Sequence, residues 1–388
     1  MAPGSFSVSE CRKYLLARCA FVGLDVFVQD GRRNIMYYLC FIVPWTYMTC
    51  CFYTLYVLQN DTTSIMQCLV VWGAAGQVNI KINLAYWYRK DLRQIYDFIR
   101  KKQESAEYEP EVEEIYKKWA KRHYLVQKLL VYVLNNNLFM LSFYAILEAA
   151  IYNRRKYIVI CNIPGLSTDP DVFPDYEFQS LFHIGCLFVG VNELVAMDGL
   201  LTYFIINGAC LAETLILEVK RMSSLIEKDS NKNFSDEDTT RYIRRLCLLH
   251  REYIDYVNRL EGMYNRMFLM KFGTYAISGS VGLYAARITD WYAVYAIVFS
   301  TVFQLFFFCS FGSVIENKNT EILDVLYESN WTGMSVKNRR MILFMIQRAK
   351  TVETISVGHL SPLNLETGMS TYKVLYSYFL LLKDAVNV

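Results

Sequence analysis

Apolar and polar positions in this chain are gathered into long blocks instead of alternating. Four blocks carry no charged residue at all: Asn34 to Asn60 (27 residues), Thr62 to Ile80 (19), Leu129 to Leu147 (19) and Trp291 to Ile315 (25). A hydrocarbon core of about 30 Å is crossed by about 20 apolar residues in a helix, so each block predicts a span. Three more blocks are long but interrupted. Phe178 to Ala212 holds Glu193 and Asp198, Met267 to Ala286 holds Lys271, and Thr367 to Leu382 holds Lys373. These can span once the charged side chain snorkels or faces protein. The pattern predicts an all-α membrane protein with seven transmembrane helices.

The connecting segments are patterned too. Ile243, Leu246, Leu249, Tyr253, Tyr256 and Leu260 recur at helical spacing, and Asp236-Glu237-Asp238 opens that stretch where acidic groups favour a helix start. Thr320 to Lys350 repeats the design with Ile322, Val325, Leu326, Trp331, Met341, Phe344 and Met345. Such stretches either pack within the chain or dock another subunit. Tyr152 to Glu177 contains Pro164, Gly165, Pro170 and Pro174, which predicts an irregular lid. The expected organisation is a segment 1–33, a bundle of six spans over 34–316 with helical extensions, a connecting region 317–365 and a last span 366–388.

Basic residues orient this bundle. With the N-terminus inside, the inner segments hold 30 Lys and Arg and the outer ones five, namely Arg154, Arg155, Lys156, Arg287 and Lys383. Lys/Arg excess marks the cytoplasmic side, so the C-terminus is expected outside, opposite to a seven-helix G-protein-coupled receptor. Residues 1–33 lack the continuous apolar core of a cleavable signal, leaving the first span to direct insertion. The sequon Asn60-Asp61-Thr62 falls outside but close to the membrane; Asn233-Phe234-Ser235 and Asn330-Trp331-Thr332 fall inside.

Composition agrees: 54% of residues are hydrophobic, 15% aromatic, and the net charge is only +3. Enzymatic motifs are missing. His123, His183, His250 and His359 are scattered, the eleven cysteines show no metal spacing, and no phosphate-cradling glycine loop or Gly-x-Ser-x-Gly elbow occurs. No cofactor, metal or nucleic acid is implied. Only Cys161 falls in an outer loop, without an evident partner, and no disulfide is expected. Glu193 and Asp198, five residues apart on one helix, point about 140° apart, a poor acid–base pair. Buried in a membrane they need partners, and Lys81, Lys128 and Lys271 are candidates.

The outer halves of the spans offer a place for a small molecule. Cys68, Val71, Trp72 and Ala75 share one face of the second span. Leu138, Phe139, Ser142, Phe143 and Ile146 lie at that depth in the third, His183, Cys186, Leu187 and Gly190 in the fourth, and Tyr292, Tyr295, Ala296 and Phe299 in the sixth. Together they would make an aromatic cavity with few hydrogen-bonding groups, suited to a small neutral volatile. Aromatic stripes of this kind also form interfacial belts and packing surfaces.

The C-terminal stretch is the most distinctive. Gln304 and Cys309 sit in an apolar helix, followed by Tyr327 and Trp331, the basic stretch Lys337 to Lys350, and finally Lys373-Val374-Leu375-Tyr376-Ser377-Tyr378-Phe379-Leu380-Leu381-Leu382. In order and spacing this resembles the C-terminal part of insect odorant receptors. The resemblance implies an odour-tuning subunit of a heteromeric ligand-gated cation channel, tetrameric with an odorant co-receptor, in the plasma membrane of olfactory sensory neurons. It places a volatile ligand between spans two, three, four and six, and a cytoplasmic subunit anchor near Tyr327, Trp331 and Phe344. It also places the pore on the last helix at Tyr378, Leu381, Asp384 and Ala385, with Asp384 and Lys383 making the mouth more polar. The inner segment Lys220 to Arg259 is too compact for the co-receptor. Insect gustatory receptors share the architecture and remain the alternative: Thr371-Tyr372 and Phe379 match their closing pattern, but Tyr378 stands where glutamine is expected. An opsin-like reading of Lys373 conflicts with the orientation, and its place near the inner end suits snorkelling.

Overall fold

The tight turn after Leu58 sets the first pair of helices antiparallel. In a computed structural model of the protein, α2 (Ile35–Val57) ends there. Asp61 then caps α3 (Thr62–Trp87), its carboxylate accepting from the Thr63 and Ser64 backbone amides. The structure describes residues 7–24, 35–152, 155–228, 236–351 and 354–386. Asn34, Arg32, Arg33, Arg154, Lys232, the sequon Asn233-Phe234-Ser235 and the side chain of Ile146 lie outside the described residues.

The helices run in the order α1 (Val8–Phe21), α2, α3, α4 (Arg89–Ala106), α5 (Pro110–Tyr152), α6 (Asp175–Lys228), α7 (Asp236–Ile288), α8 (Ala293–Glu328), α9 (Val336–Ala349) and α10 (Leu365–Val386). A capping box between Ser7 and Glu10 starts α1, satisfying two otherwise orphaned amides. Helix α4 is amphipathic and buries Leu92, Ile95, Tyr96 and Ile99 at i, i+3, i+4, i+7. Pro110 begins α5, a first-turn position at which its missing N–H costs nothing.

Four described helices are long and apolar enough to cross a membrane: α2, α3, α6 and α8. Helices α5, α6 and α7 are 43, 54 and 53 residues long. At 1.5 Å per residue they run about 65–80 Å, more than twice a hydrocarbon core. Beyond the membrane-length parts, the α6 and α7 continuations pack with α4, α8 and α9 around Leu215, Ile243, Tyr253, Ile322 and Ile342.

Helix α7 is the hub, touching α3, α6, α8 and α10. Close approach there depends on small residues, as is common between membrane helices. A Cβ on Gly279 would lie 2.8 Å from the Leu375 side chain of α10, and one on Gly312 of α8 only 1.7 Å from the Leu363 carbonyl. Glycine at these two sites sets how α10 seats. The sequence pattern did not foreshadow a small antiparallel ribbon, Ser356–Val357 with Ser361–Pro362. It is pinned to α7 by Glu261, whose carboxylate accepts from the Ser356 amide at 2.7 Å and from its hydroxyl.

The charged side chains buried within the apolar stretches find each other. Asp198 of α6 is 2.5 Å from the Lys81 ammonium of α3 and 3.7 Å from that of Lys271 on α7, all three almost fully buried. Lys271 also sits 3.3 Å over the Phe308 ring of α8, a cation–π contact that adds a fourth helix. Lys128 takes no part and lies over the Tyr124 ring instead. Glu193 is buried on another side of α6, beside Cys40 of α2, as the 140° offset implies.

Candidate functional site

Five helices leave a cavity of about 140 Å³ in the middle of the bundle. Its walls are Val43, Pro44 and Tyr47 of α2, Val71, Ala74, Ala75 and Val78 of α3, and Leu134, Leu138 and Leu141 of α5. Cys186, Leu187, Gly190, Val191 and Leu194 of α6 and Ile297 of α8 complete them. Val159, from the segment between α5 and α6, also reaches the lining. An apolar cavity of about 150 Å³ accommodates benzene, so the space suits one ring or a short chain.

The floor is polar. Gln77, Asn137, Ser300, Thr301 and Gln304 face the cavity. The Asn137 amide donates to the Ser300 hydroxyl, and the Thr301 hydroxyl is spent on the Ile297 carbonyl at 3.0 Å. The Tyr275 hydroxyl donates to Gln304 Oε1 at 3.1 Å, leaving the Gln304 NH₂ as a donor. Tyr275 stands one turn from Lys271, so the floor adjoins the Lys81–Asp198–Lys271 cluster directly.

This differs from the aromatic, sparsely polar pocket expected from the sequence. Val71, Ala75 and Leu187 line the cavity, together with Leu138, Cys186 and Gly190. The aromatic candidates do not. Phe139 and Phe143 stack on each other, 61% and 45% exposed, on the outer face of α5. Tyr292 and Tyr295 stack likewise at the start of α8, 62% and 56% exposed, and Tyr295 donates to the Ala286 carbonyl. Trp72 packs edge-on against Phe52. Cys68 is buried against the Cys51 carbonyl, and His183 is buried with Nε2 2.7 Å from the Cys161 carbonyl oxygen. Ser142 and Ala296 are half-buried off the lining. Lipid-facing and cavity-facing stripes are both apolar, so periodicity finds the stripe without telling which side it faces. The residues that do mark the inner side are polar ones within apolar spans, Gln77, Asn137, Ser300, Thr301 and Gln304, because a lipid-facing amide would be costly.

Helix α10 is held along one narrow line. Between residues 369 and 385 only Leu375 is buried. Its carbonyl accepts from the Ser280 hydroxyl, and the Tyr372 hydroxyl donates to the Val302 carbonyl at 2.7 Å. Tyr378 and Leu381 are 51% and 62% exposed, and Asp384 and Ala385 are exposed as well. At the far end of α8, Tyr327 is exposed and its carbonyl accepts from the half-buried Trp331 indole; Phe344 of α9 is exposed. Nearby, His250 of α7 is buried, and burial with help from Arg348 pushes its imidazole down to about 4. Among the described residues no group of His, Cys, Asp or Glu could hold a metal ion.

Comparison with known proteins bears on all of this. A family model described as "7tm Odorant receptor" matches residues 61–376. The chain is 24% identical to odorant receptor 10 of Aedes albopictus over 229 residues, covering 58% of this chain and 59% of that one. It is 27% identical to odorant receptor Or2 of Anopheles gambiae over 146 residues, covering 36% and 39%. These two matches span roughly half the relatives' length. With odorant receptor 24a of Drosophila melanogaster, 23% identity extends over 97% of both chains. The structure of the insect olfactory receptor OR5 from Machilis hrabei in complex with eugenol superposes with a TM-score of 0.77. That match covers 97% of this chain and 99% of that one at 13% identity, so the fold is shared.

Proposed function

The chain belongs to the insect odorant-receptor family, and from that premise we propose that it is an odour-tuning subunit of a heteromeric, ligand-gated, non-selective cation channel. A small neutral volatile occupies the cavity between α2, α3, α5, α6 and α8, and its binding opens a pore lined by α10. The observation that carries this reading is the cavity itself: ring-sized and apolar-walled, with floor residues on α8, one of the two helices against which α10 seats.

In this reading seven helices span the membrane, α2, α3, α5, α6, α7, α8 and α10, with the N-terminus inside and the C-terminus outside. The 30-to-5 bias of Lys and Arg supports the orientation. The long ends of α5 to α8, with α9, form a cytoplasmic anchor, where exposed Tyr327 and Phe344 suit contact with other subunits. Exposure of α10 on all but one line suits a helix grouped with its counterparts from three other subunits around an axis. There Tyr378 and Leu381 face the pore or its neighbour, and apolar rings can gate by dewetting. The partner is an odorant co-receptor, the location the plasma membrane of an olfactory neuron, and the mature channel a tetramer.

Two experiments test this. Expressed alone, the chain should give little odour-evoked current, and with an insect co-receptor it should give a cation current; robust current alone would overturn the tuning-subunit role. An epitope after Val388 should stain on intact cells and one before Met1 only after permeabilisation, and the reverse would contradict the topology.

A further inference from the structure

The segment between α5 and α6 descends into the mouth of the bundle instead of lying across it. Ile158, Val159 and Cys161 are all buried. The Trp291 indole donates to the Ile158 carbonyl, the Asn162 amide donates to the Thr54 hydroxyl at 2.6 Å, and His183 Nε2 meets the Cys161 carbonyl. Val159 forms part of the cavity lining, so this segment is the cavity's lid. The sulfur of Cys161 lies 3.8 Å from that of Cys51 on α2. Chain spacing gives no hint of this juxtaposition, because 110 residues separate the two.

We propose that Cys51 and Cys161 are oxidised to a disulfide that fastens the lid to α2 over the ligand cavity. A disulfide needs sulfurs about 2.05 Å apart, so they must close by about 1.8 Å, within reach of a side-chain rotation at Cys161 on its irregular segment. Cys51 stands six residues before the outer end of α2, about 9 Å down the helix, the depth to which the lid descends. The two thiols give up two protons and two electrons as the S–S bond forms. A disulfide-bearing oxidoreductase of the secretory pathway takes the electrons by thiol–disulfide exchange and is reduced to its dithiol. Cys50, adjacent on α2, also approaches Cys161 and is the built-in control. The proposal rests on the topology above, which puts the lid outside the cell.

The test uses the full-length chain co-expressed with a co-receptor. Free thiols are alkylated under denaturing, non-reducing conditions and the peptides mapped by mass spectrometry. The expected result is a Cys51–Cys161 cross-linked pair in most molecules, lost on reduction, with Cys50 alkylated. Alkylation of both Cys51 and Cys161 before reduction would overturn the proposal, and so would a Cys50–Cys161 pair. In odour responses, Cys51→Ser, Cys161→Ser and the double variant should shift the half-maximal concentration equally, whereas Cys50→Ser should leave the cross-link intact. Additive shifts in the double variant would count against a shared bond. Failure of the topology would show separately, as a C-terminal epitope accessible only after permeabilisation.

Discussion

Replacing Leu187 by Ala separates the cavity in the structure from the aromatic pocket that the sequence pattern alone suggests. Leu187 contributes one wall from α6, whereas Tyr292 stacks on Tyr295 and is 62% exposed outside the cavity. The substitution removes three side-chain carbons, worth about 0.8 kcal/mol each if fully covered by ligand. A ligand lying between five helices covers only one side of any wall residue, so roughly half of that total applies, about 1 kcal/mol. Since 1.4 kcal/mol is tenfold, the half-maximal concentration of a monocyclic, neutral volatile should rise about fivefold. The assay is a dose–response series in cells co-expressing the co-receptor, with currents normalised to each variant's maximum. Tyr292→Ala and Phe139→Ala should leave the half-maximal concentration within about twofold. A large shift in those two with none in Leu187→Ala would refute the cavity assignment.

Other outcomes follow from the same geometry. Gln304→Leu should weaken hydrogen-bonding ligands by about 0.5–1.5 kcal/mol, roughly two- to tenfold, and spare hydrocarbons of like shape, which a matched panel of alcohols and alkanes would read. Asp198→Leu leaves Lys81 and Lys271 without their counter-charge and should cost about 3–5 kcal/mol, seen as loss of the monodisperse species in detergent chromatography. His250 is held neutral by burial, down to about 4 from its ordinary 6.5. The unfolded chain therefore binds the extra proton between these values, and stability should fall as pH drops from about 6.5 to 4. His250→Phe should flatten that part of a melting-temperature-against-pH profile, and an unchanged slope would contradict the assignment. Leu381→Ala should alter unitary conductance or ion preference while leaving the ranking of ligands as it was.

Much of the architecture was legible because the membrane enforces it. Uncharged blocks such as Trp291 to Ile315 have no other economical home, and Asp198 in an apolar helix had to find a cation, which Lys81 and Lys271 supply. The site was legible only in part. Val71, Ala75 and Leu187 line the cavity, but Phe139, Tyr292 and Tyr295 face away from it, since an aromatic stripe suits lipid as well as ligand. Gln304 and Asn137 were the better guides, because amides avoid lipid. Pro164, Gly165, Pro170 and Pro174 announced an irregular lid, but its descent into the cavity mouth and the approach of Cys161 to Cys51 depend on tertiary contacts between distant segments, which no local pattern encodes. The Ser356–Pro362 ribbon escaped because its strands are only two residues each.

The central claim, that the ligand opens a channel to which this chain contributes its own last helix, is tested most directly in an excised outside-out patch. The patch carries this chain with the co-receptor, without GTP or other cytoplasmic factors. The account predicts that a volatile applied to the outer face evokes unitary cation currents at once, with an amplitude that changes when Leu381 is replaced by Ala. Currents that vanish on excision, or return only with GTP, would contradict it.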